Sequence, residues 1–221
     1  CLVRAGCATR TKVKSAAPAM IVQAAADSKG LLVQPDVQLS LITASGVSAV
    51  RADWSQAAQA NLTQALVDDL KGRSHPFEVL DPAASMEGRT GQLLRLHEAV
   101  GQSVVYFEYG KPKLPTKKKK FDWTLGDDAQ ALRAEKGADY ALFVTCRGTY
   151  ATAGRKAVSI GAMFLLMNVP TGQQQVMASL VDLRDGRVVW FNIATAGAGA
   201  DIRTPDGARE LGRRLLKGIP L

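Results

Sequence analysis

Few side chains in this sequence have the types and spacing that chemistry requires. The two histidines, His75 and His97, have no recognisable catalytic companion, and the Gly-x-Ser-x-Gly motif of serine hydrolases is absent. The three cysteines, at positions 1, 7 and 146, lack the paired spacing of a zinc site. We therefore expect no metal and no cofactor, and we interpret His97 as a structural residue.

Motifs for phosphate binding and for acid–base catalysis are also missing from the sequence. The stretch "GKPKLPTKKKK", residues 110–120, has lysines but not the glycines through which a P-loop wraps phosphate. The stretch "GAGAD", residues 197–201, does not complete a dinucleotide fingerprint. Carboxylate pairs such as Asp68-Asp69 are adjacent on predicted helices, so their side chains point in different directions. The sequence thus predicts a protein that is not an enzyme.

The formal net charge of +8 is concentrated in two short segments. Residues 1–14 carry four positive charges and residues 111–120 carry six lysines, without an acidic residue in either, so the rest of the chain has a net charge of −2. A basic groove across the whole domain is therefore not expected, and we predict no nucleic-acid partner. The Lys-rich loop, residues 111–120, is either solvated or in contact with acidic lipid or polymer. The candidate contacts to an anionic surface are Lys117, Lys118, Lys119 and Lys120.

Two cysteines near the start of the sequence resemble sites of bacterial lipoprotein maturation, in which a signal peptide is cut just before a cysteine that carries the lipid. Cys1 fits by position, and Ala5-Gly6-Cys7 resembles the end of a lipobox, although Arg4 stands where lipoproteins usually have Leu. An accidental cysteine without lipid is the third interpretation. Neither cysteine is followed by Asp, so the same resemblance implies the outer membrane. No stretch approaches the roughly 18 apolar residues of a membrane-spanning helix, and we expect attachment by lipid.

The elements that must position any site alternate between strands and helices along the chain. Residues 1–35 lack sustained periodicity and are predicted to be a lipid-anchored tether, with a short helix at 21–26. Residues 36–221 are predicted to form a single α/β domain. The predicted strands are 36–43, 76–80 and 138–150, and the predicted helices are 53–71, 85–99, 124–137 and 204–217. Residues 103–110 either extend the second helix or form an edge strand.

Local signals mark the starts of several predicted helices. Asp53 is positioned to cap the first helix, and Thr124 and Asp127 have the spacing of a capping box. Thr204 precedes Pro205 at the start of the last helix, where proline is favoured at the first helical position.

An apolar insert, residues 156–170, interrupts the alternation of strands and helices. Its central run, "VSIGAMFLLMNV", residues 158–169, is too short to span a membrane as a helix but long enough for a membrane-facing strand. Ordinary core and a protein interface are the alternatives, because surplus apolar surface usually marks a partner. The predicted interface residues are Val158, Ile160, Met163, Phe164, Leu165, Leu166 and Met167.

The stretch "LVDLRDGRVVWFN", residues 180–192, predicts a hairpin that is apolar on both faces. Asp185-Gly186 suits a two-residue type I′ turn, which would place Leu183 opposite Val188 and Val181 opposite Trp190. The predicted faces are, on one side, Met177, Val181, Leu183, Val188 and Trp190, and on the other, Val176, Ala178, Leu180, Val189, Phe191 and Ile193. Because a solvated antiparallel sheet has one polar face, this hairpin must be covered twice.

Two stretches, "EKGADYALFV" at 135–144 and "ASLVDLRDGRVVWFN" at 178–192, resemble the core of periplasmic lipoproteins related to the curli secretion channel subunit and the TolB amino-terminal domain. In that family a helix ends in Gly-Ala-Asp before a buried strand, and a hairpin of the form LVD-x-x-x-G-x-V-x-W follows. The matching residues are Gly137, Ala138, Asp139, Leu180, Val181, Asp182, Gly186, Val188 and Trp190.

The resemblance implies a three-layer α/β sandwich: a mixed sheet with helices on both faces and a C-terminal β-hairpin followed by a helix. It also implies an outer-membrane factor for secretion, polysaccharide export or cell-wall synthase activation, several such factors being ring-forming. The channel's barrel needs two transmembrane hairpins, and this chain has at most one apolar segment of suitable size, so we do not expect a pore.

Together these patterns predict a non-enzymatic lipoprotein on the periplasmic face of the outer membrane. Its expected role is that of an assembly or scaffold component of a secretion or export machine, as a homo-oligomer or within an envelope protein complex. The alternative is a monomeric periplasmic binding module that regulates a cell-wall enzyme or binds a small ligand.

Overall fold

In the part of the chain that the structure describes, eight strands form one mixed sheet that lies between two layers of helices. The computed structural model describes residues 10–15, 28–73, 76–85, 87–117, 120–163, 172–197 and 201–221. The strands are β1 (Arg10–Ser15), β2 (Gly30–Val33), β3 (Asp36–Ile42), β4 (Ser48–Val50), β5 (Phe77–Leu80), β6 (Tyr140–Ala151), β7 (Gln173–Asp182) and β8 (Val188–Gly197). The helices are α1 (Ala52–Lys71), α2 (Gly88–Val104), α3 (Ala129–Lys136), α4 (Ala153–Met163) and α5 (Pro205–Leu215).

The sheet is ordered β1-β8-β7-β6-β2-β5, with β6 as the strand that joins its parallel and antiparallel parts. β7, β8 and β1 continue from β6 in antiparallel order, and β2 and β5 continue from it in parallel order. β3 also runs parallel to β6, beyond the end of β2, and forms a short antiparallel hairpin with β4. Gln34 and Pro35 separate β2 from β3, because proline has no N–H for the ladder.

Each face of the sheet packs against its own helices and forms its own core. The first core lies under α1 and α5 and includes Leu32, Leu62, Leu66, Leu142, Leu180, Trp190, Leu211 and Leu215. The second core lies under α2 and α3 and includes Leu31, Leu93, Leu132, Phe143, Val181, Leu183, Phe191 and Ile193. These two cores confirm the predicted α/β sandwich, with a mixed sheet, helices on both faces and a C-terminal hairpin followed by a helix.

The sheet begins earlier in the chain than residue 36. β1 and β2 both lie within residues 1–35, where the sequence predicts only a tether, and they pair with β8 and with β5 and β6. β1 escapes prediction because "RTKVKS" has a single apolar residue, and β2 because four residues are too short for a periodicity signal. The predicted helix at 21–26 lies outside the described residues.

The β7–β8 hairpin has a different register from the predicted one. Leu180 lies opposite Trp190 and Val181 opposite Val188, with a bulge between these two pairs. The predicted pairing of Leu183 with Val188 and of Val181 with Trp190 is therefore wrong. β7 ends at Asp182 and β8 begins at Val188, so five residues, 183–187, connect them instead of a two-residue turn. Within this connection Asp182 N donates to Arg187 O.

The bulge also decides which face each side chain of β8 occupies. Because side chains alternate along a strand, a slip of one residue exchanges the two faces. Trp190 packs with Leu180 in the first core, and Phe191 and Ile193 lie in the second core, opposite to the predicted assignment. The prediction that both faces are covered is confirmed, since helices lie over each of them.

Two predicted helix starts are corrected by the structure. Asp53 does not cap α1 but lies in its first turn, where its carboxylate accepts hydrogen bonds from Arg51. The capping box of Thr124 and Asp127 is not formed, because Thr124 makes an isolated bridge with Arg187 and α3 begins only at Ala129. The start of the last helix agrees with prediction, as Thr204 Oγ1 accepts a hydrogen bond from Gly207 N.

Residues 103–110 extend α2 instead of forming an edge strand. α2 continues into a π-helical turn, Val105–Tyr109, whose residues Phe107 and Tyr109 pack against the second core. Tyr109 Oη donates to Lys12 O at 3.0 Å, so this turn also holds β1 at the end of the sheet.

Candidate functional site

One end of the molecule carries exposed apolar side chains that no described element covers. Val47 and Val50 of the β3–β4 hairpin are more than half exposed, and Val158 of α4 is 45% exposed. α4 lies against this hairpin, because a Cβ added at Gly154 would be 3.4 Å from the Cβ of Ala44. We call Val47, Val50 and Val158 the apolar end. These three exposed valines on two neighbouring elements make it a candidate contact surface.

The predicted interface run is helical at its start. Residues 158–163 belong to α4, so the alternative of a membrane-facing strand is wrong for that part. Val158 is partly exposed. The side chains of Ile160 and Met163 are not described, and Phe164, Leu165, Leu166 and Met167 lie outside the described residues.

The candidate anionic-surface lysines are only partly described. Lys117 Nζ lies 2.8 Å from Asp122 Oδ1 and 4.7 Å from the centre of the Trp123 ring, so an intramolecular carboxylate already neutralises it. Lys120 is exposed, and Lys118 and Lys119 lie outside the described residues.

A cavity of about 390 Å³ lies where the break between β2 and β3 opens the sheet beside β6. It is enclosed by the carboxyl end of β2, the start of β3, α2 and the turn after β5, and its lining includes Gln34, Gln59, Ala83, Leu94, His97, Glu98, Phe143 and Thr145. Gln59 Nε2 donates to Pro35 O at 2.8 Å and fixes one wall. In open α/β sheets the crevice beyond the carboxyl ends of strands is a common ligand site.

His97 forms the floor of this cavity and is neutral at physiological pH. Its Nε2 lies 2.5 Å from Ser179 Oγ, and its ring stacks on Phe143 with 3.9 Å between centroids. Burial lowers the pKa of His97 to about 3, because the charged imidazolium would lose its hydration there. Ser179 is 1% exposed, so a substrate has no access to its hydroxyl. The pair therefore joins α2 to β7, in agreement with a structural role for His97.

An arginine that contacts two residues of the cavity lining joins three elements. Arg147 of β6 donates to Asp36 Oδ2 at 2.5 Å and to Asp36 O at 3.2 Å, and its Nη2 lies 3.6 Å from Glu98 Oε1 of α2. These groups are largely solvated, so their contribution is positional more than energetic.

The loop that carries "GAGAD" is held at its described end by arginine and aromatic side chains. Arg203 lies 4.3 Å from the Trp54 ring centre and 4.0 Å from that of Tyr150. Asp201 accepts hydrogen bonds from Arg203 and from Tyr150 Oη. These contacts account for the carboxylate of this stretch without a nucleotide.

The sequence predicts no metal site. Among the residues that the structure describes, no three His, Cys, Asp or Glu side chains come close enough to hold a metal ion. Cys146 is buried in the first core, and burial raises the pKa of its thiol to about 12, which keeps it unreactive at neutral pH. Cys1 and Cys7 lie outside the described residues.

None of the described helices has both the length and the apolar character needed to cross a bilayer.

The residues that line the cavity were not predicted from the sequence. Most are ordinary core or helix positions, and they meet only because β2 and β3 run consecutively along β6. The sequence feature that marks the break between β2 and β3 is Pro35, which separates the apolar run Leu31–Val33 from the predicted strand at 36–43.

Comparisons with known proteins identify no family for this chain. No protein-family model matches it, and no curated protein matches it. A dodecamer of PelC from Paraburkholderia phytofirmans is similar in structure at 14% identity and a TM-score of 0.43, covering 95% of each chain. Lipoprotein GNA1162 from Neisseria meningitidis is similar at 15% identity and a TM-score of 0.32, covering 78% of this chain and 83% of that one. Likeness at this level does not establish a shared family or function, and the resemblance to the curli channel and TolB stays a prediction.

Proposed function

We propose that this chain is a non-enzymatic, lipid-anchored protein on the periplasmic face of the outer membrane, where it assembles with copies of itself in an envelope secretion or export machine. The lipid would be carried by Cys1 or, alternatively, by Cys7, and mass spectrometry of the N-terminal peptide distinguishes these. The work of such a protein is done by its surfaces and not by a catalytic centre.

The observation that carries this proposal is the apolar end. Three valines that are about half exposed or more lie on two adjacent elements, the β3–β4 hairpin and α4, at the edge of the sheet. Apolar surface exposed on neighbouring elements favours contact with another protein. The predicted interface run at 158–167 starts within the same helix.

Charge introduced at the apolar end is expected to weaken assembly without unfolding the domain. In the double variant Val50→Glu/Val158→Glu, we expect the dissociation constant for self-association to rise at least about tenfold, because two carboxylates would be desolvated in the contact. Sedimentation velocity of the full chain over a range of concentrations measures this change.

Leu96→Glu is the matched control, since Leu96 is similarly exposed but lies on α2, away from the apolar end. A wild-type chain that stays monomeric at all concentrations would contradict the proposed function. Equal effects of Leu96→Glu and of the double variant would exclude the apolar end as the contact.

The cavity favours a second candidate function, the binding of a small ligand with an apolar body. Its volume of about 390 Å³ is in the range of small-molecule sites, and Leu94, Phe143 and Val144 supply apolar lining beside the uncharged His97. Asp36 and Glu98 belong to the lining, where they would orient polar groups of the ligand.

Filling the cavity tests this candidate. We expect the neutral fluorescent probe N-phenylnaphthylamine to bind the wild-type chain and Ala83→Trp to weaken that binding at least about tenfold, because the indole would occupy the space. Ala57→Trp, on the exposed side of α1, should leave binding unchanged. Equal probe fluorescence in all three proteins would contradict a ligand site here.

A further inference from the structure

The described sheet ends in two strands whose outer edges have no described partner. β1 pairs only with β8, and β5 pairs only with β2, so each presents one unpaired row of backbone groups within the described ranges. Unpaired edges are templates for strands of another chain. The residues on them therefore decide which strand fits.

The outer edge of β1 is basic around one apolar residue. Lys12 and Lys14 lie opposite Ile193 and Phe191, which places them on the α2 side of the sheet, and both lysines are exposed. Lys14 Nζ lies 3.9 Å from Glu108 Oε2 of the π-helical turn, at the outer limit of an ion pair, and 46% of the lysine side chain stays exposed. Val13 points to the other side and is 44% exposed. The edge thus alternates positive charge on one face with an apolar side chain on the other.

The outer edge of β5 has the complementary pattern. Glu78 lies opposite Leu31 on the α2 side of the sheet, and Asp81 follows the strand; both acids are exposed. Val79 lies opposite Leu32 on the α1 side and is 42% exposed. Each edge therefore carries its charge on the α2 side and its exposed valine on the α1 side.

Backbone directions agree with a contact between these two edges. β1 is antiparallel to β8, and the alternation through β7 and β6 makes β1 run opposite to β5. A second copy placed beside the first in the same orientation would therefore meet it with antiparallel strands. In that arrangement the helical layers of the two copies also stay on matching sides.

On each of the two edges, the exposed valine is a residue whose backbone N–H and C=O point outward. Gly30 N donates to Pro76 O and Gln34 N donates to Leu80 O, so the ladder with β2 uses Glu78 and Leu80 and leaves the backbone groups of Val79 outward. The hydrogen bond from Leu183 N to Asp139 O fixes which residues of β7 direct their backbone groups toward β6. Because these directions alternate along each strand, following the pairs through β8 to β1 leaves the backbone N–H and C=O of Val13 pointing outward.

We propose that β1 of one copy adds antiparallel to β5 of the next, with Val13 opposite Val79 and Lys14 opposite Glu78. This inference rests on the proposed self-assembly and names a contact for it. The pairing joins two valines on one face and two opposite charges on the other, and it satisfies both sets of outward backbone groups.

Contacts between identical edges are disfavoured by the same charges. Two β1 strands paired about Val13 place Lys12 of each copy opposite Lys14 of the other, and two β5 strands paired with Phe77 opposite Val79 place Glu78 of each copy opposite Glu78 of the other. The favoured contact is therefore between unlike edges. A head-to-tail contact of this kind repeats from copy to copy and closes into a ring when the rotation allows it.

Charge reversal on the two edges tests this contact. We expect Lys14→Glu and Glu78→Lys, each alone, to raise the dissociation constant for self-association about tenfold at low salt. A mixture of the two variants should associate as the wild type does, because every β1–β5 contact between unlike copies again pairs opposite charges. Sedimentation velocity of the full chain measures all four samples, and Lys217→Glu on an exposed position is the control of equal charge change.

The outcomes separate this inference from the proposed function. If the wild type associates and both single variants associate equally well, or if the mixture is no better than the single variants, the β1–β5 contact is excluded and self-assembly stands. A wild-type chain that remains monomeric overturns both. Rescue in the mixture also excludes simple misfolding, since an unfolded β1 would not regain its partner.

Discussion

Replacing Gly186 by Ala is expected to destabilise the protein by about 2–5 kcal/mol. Gly186 lies in the β7–β8 connection with φ of 72°, a left-handed conformation that costs an L-residue about 1–2 kcal/mol. A Cβ at this position would also overlap the carbonyl oxygen of Gly126, and relieving such overpacking costs about 1–3 kcal/mol. The overlap cannot be relieved cheaply, because Leu125 N donates to Gly186 O at 2.8 Å and holds the two segments together.

Gly126→Ala is the matched control for this prediction. Gly126 has nearly the same φ, 74°, but no atom lies within 4 Å of a Cβ added there. Its replacement should therefore cost only the backbone term of about 1–2 kcal/mol. Urea unfolding of the three proteins, followed by far-UV circular dichroism, gives the two differences. Equal losses in both variants would mean that the contact between Gly186 and the segment before α3 is not tight.

His97 is expected to make the protein lose stability steeply in acid. Burial lowers its pKa to about 3 in the folded state, against about 6.5 in the unfolded chain. The unfolded chain therefore takes up a proton first as the pH falls below 6.5, and folding stability declines by up to about 1.4 kcal/mol per pH unit until the folded pKa is reached. Above pH 6.5 this residue contributes no pH dependence.

The variant His97→Gln lacks the titrating imidazole, so its free energy of unfolding should fall less steeply than that of the wild type as the pH is lowered. Glutamine keeps a hydrogen-bonding group near Ser179 but does not titrate, so the other titrating groups remain as a common background. We expect the difference in free energy of unfolding between wild type and variant to change with pH between 6.5 and 4. Urea unfolding at half-unit pH intervals measures it. Parallel stability curves for the two proteins would contradict a buried, neutral His97.

Elements with a full period of apolar residues or with strong end signals were predictable from the sequence. α1 has leucines and alanines at steps of three and four, and α5 has Thr204 and Pro205 at its start, so both agree with prediction. β6 was predictable because its apolar run follows Gly137, which ends α3 in the left-handed conformation. These signals act within a few residues of chain.

Elements that depend on distant partners were not predictable in the same way. β1 is stabilised by β8 and by Tyr109, residues far along the chain, and its own sequence is that of a charged loop. The bulge in the β7–β8 hairpin moves Trp190 to the first core, although the Asp-Gly pair alone favours a tighter turn. In both cases burial against another element outweighs local preference.

The apolar end was partly predictable from the sequence, whereas the cavity was not. The composition shows a surplus of apolar residues near residue 158. The structure places Val158, the first residue of that run, within α4 with a partly exposed side chain. The cavity is invisible in the sequence because Gln34, His97 and Phe143 come from three separate elements and meet only across the break between β2 and β3.

The sequence by itself determined the class of fold and the double covering of the hairpin, because these follow from composition and short-range periodicity. Only the tertiary structure decided which strands end the sheet, which residues face outward on them and where the cavity opens. The physical reason is that strand order and register are set by contacts between segments far apart in the chain, whose free energy of burial is not encoded in any one segment. The complementary charges of β1 and β5 bear on assembly only because both strands lie at edges of the described sheet, which the sequence does not show.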